Sequence, residues 1–320
     1  DGLPTTFASC AGSAKSVKRA AYNCLRDWKP AMETYPGKVV YHFSPSITAA
    51  EKRAIREAAE FALVRAEGYV AALGYAPEFH VFYNMDDASE CRRLLKSWPG
   101  TANIEWIYQQ GGMCASDGFG GNGIGSSIPG TTSAGISTPR NHEVYGDWVF
   151  PFYTYQVLPH EIVSAFPDLR FFPYWVWYAA SRAAWQAAGI QILGDDLGAY
   201  HRGLLPEAGK ATWQPTVKDP RFGPGPEFDW ETLSDEIPWQ YAVMDLGSQY
   251  VTAMFGPDWI QKVLYPVMLA ESNANPNATF RAAADRVANQ VWGGEWNDLE
   301  SAVDTYVLDE FRKAGITGLE

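Results

Sequence analysis

The sequence predicts an α+β fold. A mixed sheet with a helix packed on it is expected over residues 39–145 and a mainly helical half over 146–320, behind an N-terminal arm at 1–38. Three observations carry that prediction. Two β-like runs, Val39-Val40-Tyr41-His42-Phe43 and Phe79 to Tyr83, flank one strongly capped helix. A glycine-rich stretch over residues 111–139 then interrupts all periodicity. From Trp148 onward apolar residues recur at helical spacing between Gly, Pro and Asn breaks.

Taken in order, the arm holds a short helix within Ser13 to Met32, closed by the Pro36-Gly37 turn signal. After the first strand, Thr48 is placed to cap a helix, and Glu51 three residues later completes a capping box. Ile55, Ala58, Ala59, Ala62 and Leu63 form its apolar face, which continues through Ala72 until Gly74 stops it. The second strand ends at an Asp86-Asp87 turn. A helix follows from Ala88 to Ser97 and is terminated by Trp98-Pro99-Gly100.

The glycine-rich stretch contains Gly118-x-Gly120-x-x-Gly123, a formal match to a dinucleotide fingerprint. No strand is predicted before it and no helix after it, so the match implies no nucleotide. A mobile loop is expected instead, ending in a short edge strand at Ser133 to Ser137. Tyr241 to Phe255, Trp259 to Ala270, Ala278 to Val291 and Trp296 to Lys313 read as amphipathic helices, and there is no internal repeat.

Composition narrows the class. The 320 residues are 47% apolar and 14% aromatic, ample for a sizeable core. A formal charge of −12 opposes nucleic acid or an anionic membrane as the main partner, since both require a basic surface. No apolar run approaches the ~18 residues of a spanning helix, and Phe171 to Ala180 is interrupted by Pro173. A start at Asp1 rather than Met suggests a processed chain; it contains no signal peptide, which is compatible with one having been removed. The four cysteines allow three connectivities, of which the two local pairs, Cys10 with Cys24 and Cys91 with Cys114, are preferred over the others and over free thiols. Two bridges would suit a secreted or cell-surface protein. The absence of C-x-x-C spacing disfavours a cysteine zinc site, and Asn277-Ala278-Thr279 is a glycosylation sequon.

The most informative stretch is Pro159 to Ala180, PHEIVSAFPDLRFFPYWVWYAA. His160 and Ser164 fall one helical turn apart on one face. In H-E-x-x-H zinc helices the same spacing presents two imidazoles to one metal, with the glutamate beside them. The segment resembles a gluzincin (thermolysin-like) metallopeptidase helix with a degenerate motif, HEIVS, in which Ser164 stands at the second imidazole. Pro173-Tyr174-Trp175 resembles the P-x-W segment that precedes the third, glutamate ligand of that family, whose position falls on Tyr178. The resemblance extends more weakly, by element order, over residues 39–313. It implies a zincin-like fold with a cleft between sheet and helical half, and an edge strand that holds peptide.

The same resemblance sets the expected chemistry. A peptidase site needs three good ligands and an open position for water; here His160 alone is retained, because serine and tyrosine hydroxyls stay protonated near neutral pH. No bound metal or other cofactor is therefore expected, and Glu161 becomes a vestigial general base. His160, Glu161, Ser164, Trp175 and Tyr178 are expected to line a binding cleft, with bland roles as core or cleft side chains weighed against each. A Ser164–His160 nucleophile pair lacks both an elbow and an orienting partner. The expectation is a catalytically silent, extracellular binding or structural module with a protein, peptide or glycan partner. The alternatives are an active zinc peptidase that recruits ligands such as His142, Glu143, Asp168 or His201, and a glycan-binding or surface-assembly subunit that uses the fold as a scaffold.

Overall fold

The computed structural model describes residues 32–109, 112–115, 120–141, 149–166, 246–247, 250–251, 254–255, 259–278 and 280–313. These fall into two compact units, one over 32–166 and one over 246–313. Cys10, Cys24, Trp175 and Tyr178 lie outside the described residues, as do His142, Glu143, Asp168 and His201.

The first unit is built on a four-stranded mixed sheet of β1 (Val39–Phe43), β2 (Glu78–Asn84), β3 (Gly120–Gly123) and β4 (Thr131–Ser137), in the order β1-β2-β4-β3. β1, β2 and β4 are parallel, and β3 runs antiparallel to β4. The Ser133–Ser137 segment was expected at the edge of the sheet; it lies inside, and the edge is Gly120–Gly123, within the stretch expected to be a loop. Three of its four residues are glycines, which carry no side chains from which an alternating pattern could be read, so periodicity does not reveal that strand.

Between the first two strands lie α1 (Ala49–Arg65) and α2 (Glu67–Leu73). The predicted capping box is present, since Thr48 accepts from the Glu51 amide and the Glu51 carboxylate accepts from the Thr48 amide at 2.7 Å. One continuous helix to Ala72 was expected, but the chain breaks at Ala66, and Gly74 then closes α2 in the left-handed conformation at φ 75°. Glu51 also holds Arg140 from beyond β4 in a two-pronged pair at 2.6 and 2.8 Å, while Arg140 donates to the Ser46 carbonyl.

The other face of the sheet carries α3 (Ala88–Lys96) and α4 (Pro99–Ala102). Cys91 is bonded to Cys114, as the local pairing anticipated. The bridge sits in a buried cluster with Phe82, Leu94, Leu95, Ile107, Met113 and Ile124. After β4 come α5 (Val149–Phe152), a π turn at Tyr153–Val157 and α6 (Leu158–Ser164). In the second unit a π turn at Ile260–Leu264 leads into α7 (Tyr265–Ala274), α8 (Phe280–Trp292) and α9 (Trp296–Lys313). There the buried Glu271 accepts from Arg286 and Asn275, and the Trp296 indole donates to Glu300. No described helix is long and apolar enough to cross a membrane.

Two outcomes follow from these contacts. Replacing Cys91 and Cys114 together by Ser should lower the free energy of unfolding by about 3 kcal/mol, the entropic value for a loop of this length, measured by urea denaturation. The Arg140 guanidinium holds the Glu51 carboxyl down at about 2. A carboxyl depressed on folding stabilises above its unfolded pKa of ~4.3 and loses that contribution as the pH falls towards the folded value. Arg140→Met should therefore cost about 0.5–1 kcal/mol at pH 7, the range of a solvent-screened pair, and should flatten the dependence of stability on pH between ~4.5 and ~2.

Candidate functional site

The site is organised by α6, whose buried Leu158, Ile162 and Val163 dock it on the sheet unit beside α1, β3 and β4. Its end is fixed by Thr132 of β4, which donates to the Ala165 carbonyl at 2.5 Å. Phe166, immediately after, packs its ring against Tyr69 and Phe79 at 5.6 and 5.8 Å. The preceding π turn is tied down by the buried Tyr83 hydroxyl, which is 2.8 Å from Thr154 Oγ1.

The glycines of β3 allow the helix to come this close. A Cβ on Gly121 would lie 2.5 Å from Val157 Cγ1 and 2.6 Å from Glu161 Cγ. One on Gly123 would lie 3.0–3.2 Å from backbone atoms of Ser164 and Ala165. Glu161 therefore lies directly over the edge strand, half-buried, with its Oε1 2.9 Å from that Gly121 position.

His160 is half-buried one residue earlier, and burial pushes its imidazole down to about 4, so it is neutral near pH 7. Ser164 Oγ donates to the His160 backbone carbonyl at 2.8 Å, the i−4 bond that helical serines commonly make. That hydroxyl is thereby directed at the helix backbone, which leaves no Ser164–His160 nucleophile pair of the kind that needs a hydroxyl-to-imidazole bond.

His160, Glu161 and Ser164 are thus brought together on one helix, as their spacing predicted. Trp175 and Tyr178 lie outside the described residues, and so does any cleft they would line. The described donors do not fit a catalytic zinc: one imidazole stands where two are needed, and the i+4 hydroxyl is spent on a carbonyl. Among the described residues no three His, Cys, Asp or Glu side chains are grouped to hold a metal.

The sequence reading missed the part played by Gly121 and Gly123. The usable signal was Gly-Gly-Asn-Gly one turn before a β-like run, small residues where another backbone has to approach closely.

Backbone direction completes the site. Ile124 donates to the Ser133 carbonyl at 2.8 Å, and hydrogen-bonded pairs alternate along an antiparallel ladder. Gly121 and Gly123 therefore turn their N–H and C=O groups away from β4. No strand pairs with that side of β3 among the described residues.

Gly121→Val should destabilise the protein by about 1–3 kcal/mol, because its side chain would meet Val157 and Glu161. Gly120→Ala, with nothing within 4 Å of its Cβ, should lie within about 0.5 kcal/mol of the parent in the same thermal-unfolding series. No family model, curated protein or solved structure matches this chain, so its functional reading rests on the fold and on this site.

Proposed function

We propose that this chain is a secreted or cell-surface, gluzincin-like module that has lost its zinc site and binds an extended peptide segment along β3, without cleaving it. The observation that carries the proposal is the position of Glu161 and Ser164 against the edge strand. The helix that would hold a metal lies on the sheet edge, but its second ligand position is a serine bonded to its own helix. A peptide pairing with the outward groups of Gly121 and Gly123 would gain main-chain hydrogen bonds by strand addition. Side chains on β3 would scarcely constrain its sequence. The acidic chain, at −12, favours a basic peptide over an acidic one. The Cys91–Cys114 bridge supports an oxidising compartment.

Metal analysis of the purified protein should find well under one zinc per chain, and unstructured peptides should remain intact in its presence. Ser164→His alone should change little, because Tyr178 still occupies the third ligand position in the family frame. Ser164→His with Tyr178→Glu should bring measurable zinc binding by calorimetry. A basic, unstructured peptide selected from a pool by fluorescence anisotropy should lose at least about tenfold in affinity when its backbone is N-methylated at alternate residues, since strand addition depends on those N–H groups. Stoichiometric zinc in the parent protein, or proteolysis abolished by a chelator, would overturn the non-catalytic reading; binding that ignores N-methylation would overturn the strand-addition reading.

A further inference from the structure

The sheet face opposite α6 carries a chain of hydrogen bonds that the proposed function does not use. His42 Nε2 on β1 lies 2.9 Å from His80 Nδ1 on β2. His80 Nε2 lies 3.1 Å from Glu78 Oε1, which also accepts from Lys38 Nζ at 2.9 Å. The rings are held flat. His80 stacks on Trp98 with centroids 3.7 Å apart, and His42 stacks on Phe82 at 4.3 Å. His80 is only 4% exposed.

Donor and acceptor roles along this chain are determined by its end. A carboxylate only accepts, so His80 must carry its proton on Nε2 and present a lone pair at Nδ1. His42 must then donate from Nε2, and each ring holds one proton. We propose that this His42–His80–Glu78 chain is an acid-released latch that holds the β1 edge of the sheet to β2. One added proton can be taken at His42 Nδ1 with the order preserved, but it places a cation on a half-buried ring beside Phe82. A second proton, on His80 Nδ1, sets N–H against N–H and two positive rings side by side. The order that joins the strands is then lost.

The electrostatic surroundings act in the same sense. Burial, and then the neighbouring His80, hold His42 down to about 4. His80 is lowered mainly by burial, against the opposing pull of Glu78 and with a smaller push from Lys38. The charged side chains of the overlying α3 are engaged elsewhere: Arg93 with Glu90, Arg92 with the Cys114 carbonyl, and Lys96 over the Tyr108 ring. Histidines depressed on folding contribute stability that is complete above their unfolded pKa of ~6.5 and is lost as the pH falls to about 4. The latch is therefore closed at neutral pH and opens across that interval.

Hydrogen exchange read by NMR on the intact chain tests this. Between pH 7.5 and 4.5 the protection factors of the β1 amides should fall at least about tenfold more than those of β4. Over the same range the ¹⁵N shifts of the two rings should report His42 protonated on Nε2 and His80 on Nε2 at pH 7.5. The double variant His42→Phe/His80→Phe should abolish the difference between β1 and β4. Should that variant fail to fold, the ring shifts of the parent protein decide the matter. Either ring titrating near 6.5, the opposite tautomer on His80, or β1 and β4 protection falling in parallel would overturn the proposal.

Discussion

The close approach of α6 to the sheet edge is the constraint on which the rest of the first unit depends. A helix normally stands off a strand by the thickness of its side chains, and here β3 has almost none. Gly121 and Gly123 remove the Cβ atoms that would meet Val157, Glu161 and the backbone at 164–165. The helix settles onto β3 and β4, Thr132 ties down its end, and Phe166 enters the core against Tyr69 and Phe79. Backbone freedom is the cost, because glycine strands lose more entropy on ordering than any others. Burial of Leu158, Ile162 and Val163, together with the ladder to β4, offsets it.

That geometry decides what the chemically active residues can do. Glu161 lies over the strand edge and His160 is held neutral by burial. In an intact metal site the two would share the task of holding and activating a water with a second imidazole. A serine that donates to its own helix supplies neither charge nor a ligand lone pair directed outward. The helix backs an edge strand on which Gly121 and Gly123 turn their amides and carbonyls away from β4, and pairing with another backbone would require only those groups.

The two faces of the sheet are stabilised differently. On the α1 and α6 side the buried contacts are mainly apolar, with hydrogen bonds at Tyr83 and Thr132 and the Glu51–Arg140 pair beside them. On the α3 side a disulfide-centred cluster lies next to a polar chain through His42, His80 and Glu78. Polar chains of this kind are stable only when every donor meets an acceptor. That condition makes one protonation state special and couples the sheet to pH.

Much of this was already present in the sequence, where the physics is local. The Thr48–Glu51 capping box, the Gly74 stop, the ends of α9 at Trp296 and Lys313 and the Cys91–Cys114 pair all depend on residues close together in the chain. So does the placing of His160 and Ser164 on one helical face, which needs only the helical repeat. The order of the strands could not be read in this way. Whether Ser133–Ser137 is an edge or an inner strand depends on which distant strands pair with it, and the glycine-rich strand that covers it has too few side chains to carry a period. The His42–His80 contact was equally hidden: each histidine is one polar residue inside an apolar run, and parallel pairing of β1 with β2 across an intervening helix first brings them within hydrogen-bond reach. Local propensity and capping act within a few residues and leave their mark in the sequence, whereas pairing and close approach are set by which surfaces meet, and only the folded chain decides that.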